Sequence, residues 1–328
     1  MLRPLGVPAL ARLAGLPAAR GTPSGPVKSR PAPLAFTMSV NDAFRAVMAA
    51  GLAHLLANES GLRRGADPEY LHQARVALRR LRSALEVFSP PLPESVVAPA
   101  ARELGWLASR LGPARDWDVL MIDTLPPIEA EFGAQRGLKS FIARSRRLRR
   151  GADMAARRAV RSARYRRLTL RLSAGLAAED WRARLNSTAR AALQRPLGDH
   201  ARAVLEARYR RVRKRGRGLD ELSAAQLHRL RIAIKRFRYA ADFFSGLYRE
   251  GPVRETLQRL SRLQDILGEM NDAATAAELA VRVCRGRGGA DILEARGILR
   301  GWNRARAALL KGELKDAWKS FHEAEKFW

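Results

Sequence analysis

The chain repeats itself, and that restricts its fold more than any other feature. His72 and His228 stand 156 positions apart, and the same shift carries Arg75 to Arg231, Arg79 to Lys235, Arg80 to Arg236 and Arg82 to Arg238. It also carries Leu78 to Ile234, Leu81 to Phe237, Phe88 to Phe244, Leu107 to Leu263, Leu111 to Leu267, Gly112 to Gly268 and Asp116 to Asp272. One shift that holds without a gap over about fifty residues points to an internal duplication. Whatever one half forms, the other must form too, and two such halves pack about a pseudo-twofold axis.

The repeated unit is helical. Around each histidine the apolar residues recur at helical spacing, and no strand-like alternation with hairpin signals occurs anywhere. Ala, Leu and Arg dominate and aromatics make up only 6%, which favours helices over strands. Asp67 and Ser223 correspond by the shift and both suit a helix N-cap; Pro68 follows the first, and Gln226 completes a capping-box spacing with the second. The expected helices are 40–57, 68–88, 95–111, 116–131 and 138–172 in the first half. The second half should hold 198–215, 224–247, 253–268, 271–284 and 291–325. Each Leu-Gly pair, Leu111-Gly112 and Leu267-Gly268, reads as a helix end, with Asp116 and Asp272 capping the next helix. The fold class is all-α: two helical bundles, a first repeat over 40–175 and a second over 198–325.

The first 37 residues stand apart from this domain, which runs over 38–328. They are rich in proline and hold no acid, so they cannot make a continuous helix and are expected to lack order. They read as an upstream start with Met38 as the true beginning, or as a transit-like leader. The single cysteine, Cys284, excludes an intrachain disulfide and fits a reducing cytoplasm. No apolar run is long enough to span a membrane.

The charge is extreme: 61 Lys plus Arg against 32 Asp plus Glu, a formal net of +29. Such an excess repels itself, so it implies an anionic partner. Arginine dominates, and its planar fork matches phosphate oxygens. Placed at about 100° per residue, His72, Arg75, Arg79 and Arg82 form one stripe beside the apolar face of their helix. His228, Arg231, Lys235 and Arg238 form the same stripe in the second copy. Arg80 and Arg236 turn off it. No acid sits four residues after His72, Arg75 or Arg79, or after His228, Arg231 or Lys235, and like charges one turn apart cost a few tenths of a kcal/mol each. A solvated face needs cations somewhere, not the same cations at the same phase in two places.

The two segments EYLHQARVALRRLRSALEVF and QLHRLRIAIKRFRYAADFF resemble the signature helices of the conserved histidine α-helical domain, the CHAD family. The resemblance covers about residues 40–325, and the downstream LG…RD and LG…ND segments agree with it. It implies two helical bundles related by pseudo-twofold symmetry around a basic groove or pore. It implies binding of inorganic polyphosphate, often at polyphosphate granules. The implied groove residues are His72, Arg75, Arg79, Arg82, His228, Arg231, Lys235 and Arg238, with Arg80 and Arg236 as weaker members.

Other chemistries fit less well. The motif histidines are flanked by arginines, which repel a metal ion, so no metal or cofactor is expected. The terminal HEAEKF is not the Glu-x-Glu-x-Lys strand of the triphosphate tunnel metalloenzymes to which some family members are fused, and no Walker-type loop or nucleophile–base pair stands out. The chain therefore reads as a binder, not an enzyme. Non-specific nucleic-acid binding is the alternative. The clusters at 144–167 and 208–217 would hold any phosphate backbone, but their aromatics, Tyr165 and Tyr209, also fit core positions.

Overall fold

A computed structural model describes residues 5–17, 25–65, 67–89, 91–285 and 289–328. Thirteen α-helices occur among them: α1 Val7–Leu13, α2 Val40–Ala57, α3 Glu59–Arg64, α4 Pro68–Phe88, α5 Glu94–Val119, α6 Leu125–Phe132, α7 Arg136–Arg161, α8 Ala163–Ala178, α9 Ser187–Gln194, α10 Leu197–Arg215, α11 Ala224–Phe244, α12 Glu250–Cys284 and α13 Ala290–His322. The described residues contain no β-strand, only an isolated bridge between Ser39 and Pro196 just before α2 and α10. The all-α class holds. No helix of the described residues is long and apolar enough to cross a membrane.

Two expected helix ends do not exist. α5 runs straight through Leu111-Gly112-Pro113, and α12 runs through Leu267-Gly268. The reason is burial. Leu104, Leu107, Leu111, Ala114 and Trp117 keep helical phase across the glycine and proline, and all are fully buried. That stripe outweighs the local cost of two breakers. Asp116 and Asp272 are consequently mid-helix residues rather than caps.

The reverse happens at Ser162. A single helix is expected over 138–172, yet the backbone turns extended at Ser162 (ψ 155°) and α8 begins there. The Ser162 hydroxyl accepts a hydrogen bond from the Tyr165 N–H at 3.2 Å, an N-cap inside an arginine run. The short helices α3 and α9 lie outside the expected set. The segment before α2 also departs from expectation. Leu10 of α1 and Ala14 just after it are buried against the domain, Leu34 is buried, and α1 packs on α2. Asn58 clasps Val27, accepting from its N–H at 3.0 Å and donating to its carbonyl at 2.9 Å. The expected lack of order does not hold for residues 5–17 and 25–37; residues 1–4 and 18–24 lie outside the described residues.

Burial divides into two hydrophobic cores. The larger is built around α2, α4, α5, α8, α10, α11 and the first half of α12. The smaller joins Trp117, Ile128 and Phe141 to Leu279, Val283 and Leu299. Each core draws on both halves of the chain, so the halves are interleaved. α4 packs on α11, α5 on α12, and α7 on α13. On α2, a side chain at Gly51 would put its Cβ 2.9 Å from Leu81, so glycine there lets α4 approach closely.

Candidate functional site

α4 and α11 start as their sequences predict. The Asp67 carboxylate accepts from the Glu69 N–H at 2.8 Å, and Ser223 and Gln226 form a reciprocal capping box. The two helices then meet near their C-terminal ends, where Phe88 and Phe244 pack edge to face with ring centres 6.0 Å apart. Two ion pairs cross the same contact. Arg80 pairs with Asp242, and Arg236 pairs with Glu86 at 2.8 Å. Arg80 is 9% exposed and also lies over the Phe243 ring, 5.1 Å from its centre. Arg80 and Arg236 thus fasten helix to helix, as their turn away from the stripe requires.

The stripe itself looks elsewhere. His72 and Arg79 of α4 converge with Arg231 and Lys235 of α11 on one cleft of about 680 Å³. Its far wall is α12, which contributes Gln264, Gly268 and Asp272, and α13 closes the end with Arg306. The other four stripe residues do not line this cleft. Arg82 and His228 are exposed, and Arg238 donates to Gln264 Oε1 at 3.2 Å. Arg75 is folded against α5: a Cβ on Gly112 would stand 3.2 Å from its Nη1, so the glycine that fails to end the helix makes room for a guanidinium.

The electrostatics are those of a partly dehydrated cationic cluster. Burial lowers the Lys235 ammonium to about 7, and Arg231 and Arg79 push in the same direction while Asp272 opposes them. Burial also lowers Arg75 and Arg231, each opposed chiefly by one carboxylate: Asp116 for Arg75, Asp272 for Arg231. Those two aspartates are themselves raised by burial and act on each other. They share a small cavity with Val119, Leu120, Thr275 and Ala276, where α5 crosses α12. The aspartates temper the row, and neither forms a direct ion pair with it among the described residues. The Nε groups of Arg79 and Arg231 are buried and have no hydrogen-bond partner among the described residues, which is costly. Both residues line the cleft, where an anion would offset the cost of holding their charge out of water.

The two histidines differ. His72 is half-buried, and burial and Arg115 hold it below its ordinary value. His228 is exposed, with its Nδ1 3.2 Å from Asn271 Oδ1. Arg115 and Asn271 correspond by the 156-residue shift, so the two histidines differ in a neighbour as well as in burial. Asp116, Asp272, Arg115, Gln264 and Arg306 escape a reading of the motif helices alone. The shift does align Asp116 with Asp272, but local propensity assigns them a capping role. Among the described residues, no group of three or more His, Cys, Asp or Glu could hold a metal ion. Tyr165 and Tyr209, the aromatics of the basic clusters, are buried in the core.

The comparisons agree with this architecture. The chain resembles the crystal structure of the CHAD domain from the plant Ricinus communis with a TM-score of 0.79 and 32% identity, over 92% of this chain and 98% of that one. It resembles PptA from Streptomyces chartreusis in fold, with a TM-score of 0.67 at 20% identity, over 86% of this chain and all of that one. No curated protein sequence matches. The family model of the CHAD domain matches residues 46–281, which bears out the signature read in α4 and α11: the chain belongs to the CHAD family.

Proposed function

We propose that this protein is a non-catalytic binder of inorganic polyphosphate, held in the cleft between α4, α11 and α12, and that it acts in the cytoplasm at polyphosphate granules. The observation that carries the reading is the convergence of Arg79, Arg231 and Lys235, from both motif helices, on one cleft with no carboxylate ion-paired to them among the described residues. A run of phosphates along the α4–α11 wall would meet the Arg79 and Arg231 guanidinium groups and the Lys235 ammonium at once. It needs no base or sugar, and the α4 and α11 residues lining the cleft include no aromatic; the half-buried Trp302 of α13 lies at its edge. The acids on the α12 side restrict the anion to that wall; Glu269 is already engaged by Arg306 at 2.5 Å.

Membership of the CHAD family supports the same reading, and so does the pairing of helices. The 156-residue shift maps α4 onto α11, the middle of α5 onto α12, and α7 onto α13, and each packs on its own equivalent. It also maps Glu86 onto Asp242, so the two ion pairs at the α4–α11 contact are reciprocal. We take these as marks of a duplicated, pseudo-twofold fold with the cleft beside its axis.

A competition titration tests the function. At physiological salt and matched phosphate concentration, polyphosphate should displace bound DNA more readily than DNA displaces polyphosphate. The opposite ranking would make the chain a nucleic-acid binder.

A further inference from the structure

A cavity larger than the candidate phosphate cleft lies elsewhere among the described residues. It lies between α2, α4, α5 and α8, with a volume of about 920 Å³. That is within the ~300–1,000 Å³ range of small-molecule sites. Its floor is apolar, with Phe44, Leu168, Leu176 and Trp181 each no more than 5% exposed, and the half-buried Val96 and Leu172 present apolar surface to it. Trp181 is fixed by a hydrogen bond to Asn41 Oδ1 at 3.1 Å and by an edge-to-face contact with Phe44.

The rim is cationic. Arg102, Arg167, Arg171 and Arg184 border the opening, all exposed, and no ion pair engages them among the described residues. A fifth arginine, Arg164, is already committed. It clasps Glu103 through two bonds of 2.8 and 3.0 Å and lies over Trp106. Asp180 is the remaining acid at the opening. Four uncommitted guanidinium groups therefore surround an apolar chamber.

The geometry points to a second site, for an anionic amphiphile: a molecule with an elongated apolar body and a single carboxylate or phosphate head. The body would displace water from the Phe44–Leu176 chamber, and the head would stay at the opening among Arg167, Arg171 and Arg184. A bare phosphate chain gains nothing from the walls. A neutral or cationic amphiphile gains nothing from the rim. The proposal is independent of the polyphosphate reading, because the chamber shares no lining residue with the α4–α11–α12 cleft.

Calorimetric titration of the full chain with dodecanoate and with dodecyl phosphate, both below micelle formation, tests it. Each should bind once, saturably. Dodecyltrimethylammonium, with the same body and the opposite head, and inorganic phosphate, with the head alone, should bind at least tenfold more weakly. R167E combined with R171E should remove the head contacts, and A174W should fill the chamber from α8. Either change should weaken dodecanoate at least tenfold, with the helical circular dichroism retained and polyphosphate affinity within threefold of the parent. Equal binding of the cationic amphiphile would overturn the proposal, as would full dodecanoate affinity in both variants. Displacement of dodecanoate by equimolar tripolyphosphate would make the rim an extension of a polyanion surface. Capture by phosphatidylglycerol vesicles without binding of monomeric dodecanoate would make it a membrane contact. Either result would also overturn the proposal.

Discussion

Adjacent residues on the same two helices do opposite things. Arg79 and Lys235 face a shared cleft, and no carboxylate is ion-paired with them among the described residues; Arg80 and Arg236, one step further on, are each tied to a carboxylate of the other helix. The step of about 100° per residue separates them. Charge count therefore says little about role here. A cation with an internal partner holds the fold. A cation held out of water without one is a standing cost, and such a cost persists where a ligand offsets it. The basic cluster at 208–217 is a third case: Arg211 and Arg217 are exposed and solvated, so they neither hold the fold nor bear that cost.

This contrast can be broken most forcefully in binding. Arg79→Glu with Lys235→Glu should weaken polyphosphate by on the order of 100-fold, the loss of two desolvated charge contacts at ~2–5 kcal/mol for the pair. Reversing Arg211 and Arg217 should cost under about fivefold and mainly flatten the salt dependence. Equal losses in the two variants, measured at one ionic strength, would mean that the charge acts diffusely and that the cleft is not a site.

The complementary change touches stability. Arg80→Ala removes a cation from a largely buried pair and from the face of Phe243, and should destabilise the fold by about 2–3 kcal/mol. Arg236→Ala breaks a pair whose side chains are 40% and 36% exposed, so about 1 kcal/mol is expected. Denaturant melts give both numbers, and polyphosphate affinity of the folded fraction should stay within a few-fold. Exchanging the partners, R80D with D242R, should recover part of the lost stability. A binding defect as large as that of the cleft variant, with stability intact, would move Arg80 back into the binding row.

The sequence carried the class of fold because that class rests on helical periodicity. α2 and α4 occupy the expected ranges, as the caps Ser39 and Asp67 and the apolar phase agree there. The failures share one cause. At Gly112-Pro113 and Gly268, local signals for an end competed with a long-range apolar stripe, and the stripe won; at Ser162 a local cap won inside a run that looked uniform. The same misreading hid Asp116 and Asp272. Their role depends on α5 crossing α12, which no local signal encodes. Which four of the eight row residues meet in the cleft likewise depends on how α4 crosses α11, and a helical wheel holds no information on crossing.

The finest probe of the same contrast is pH, because the cleft holds a lysine near its titration point. Lys235 is lowered from the ordinary lysine range to about 7 by burial, with Arg231, Arg79 and Arg75 against it and Asp272 for it. Below pH 7 the free protein and the complex both carry the ammonium, so this group leaves affinity flat. Above pH 7 the free protein has lost the proton while a bound phosphate chain restores it. Binding then takes up a proton, and affinity falls by up to about tenfold per pH unit until the raised value in the complex is reached. Stability of the free protein runs the other way: between pH 7 and the ordinary lysine value the unfolded chain holds the extra proton, so the fold gains stability as pH rises. His72, itself lowered, adds charge only below its own value and strengthens binding further toward acid. Lys235→Arg should flatten the limb between pH 7 and 9 and keep the acidic one. A parent protein with flat affinity over pH 7–9 in fluorescence titrations with long-chain polyphosphate would show that Lys235 stays charged throughout, and the row would then be better hydrated than its burial implies.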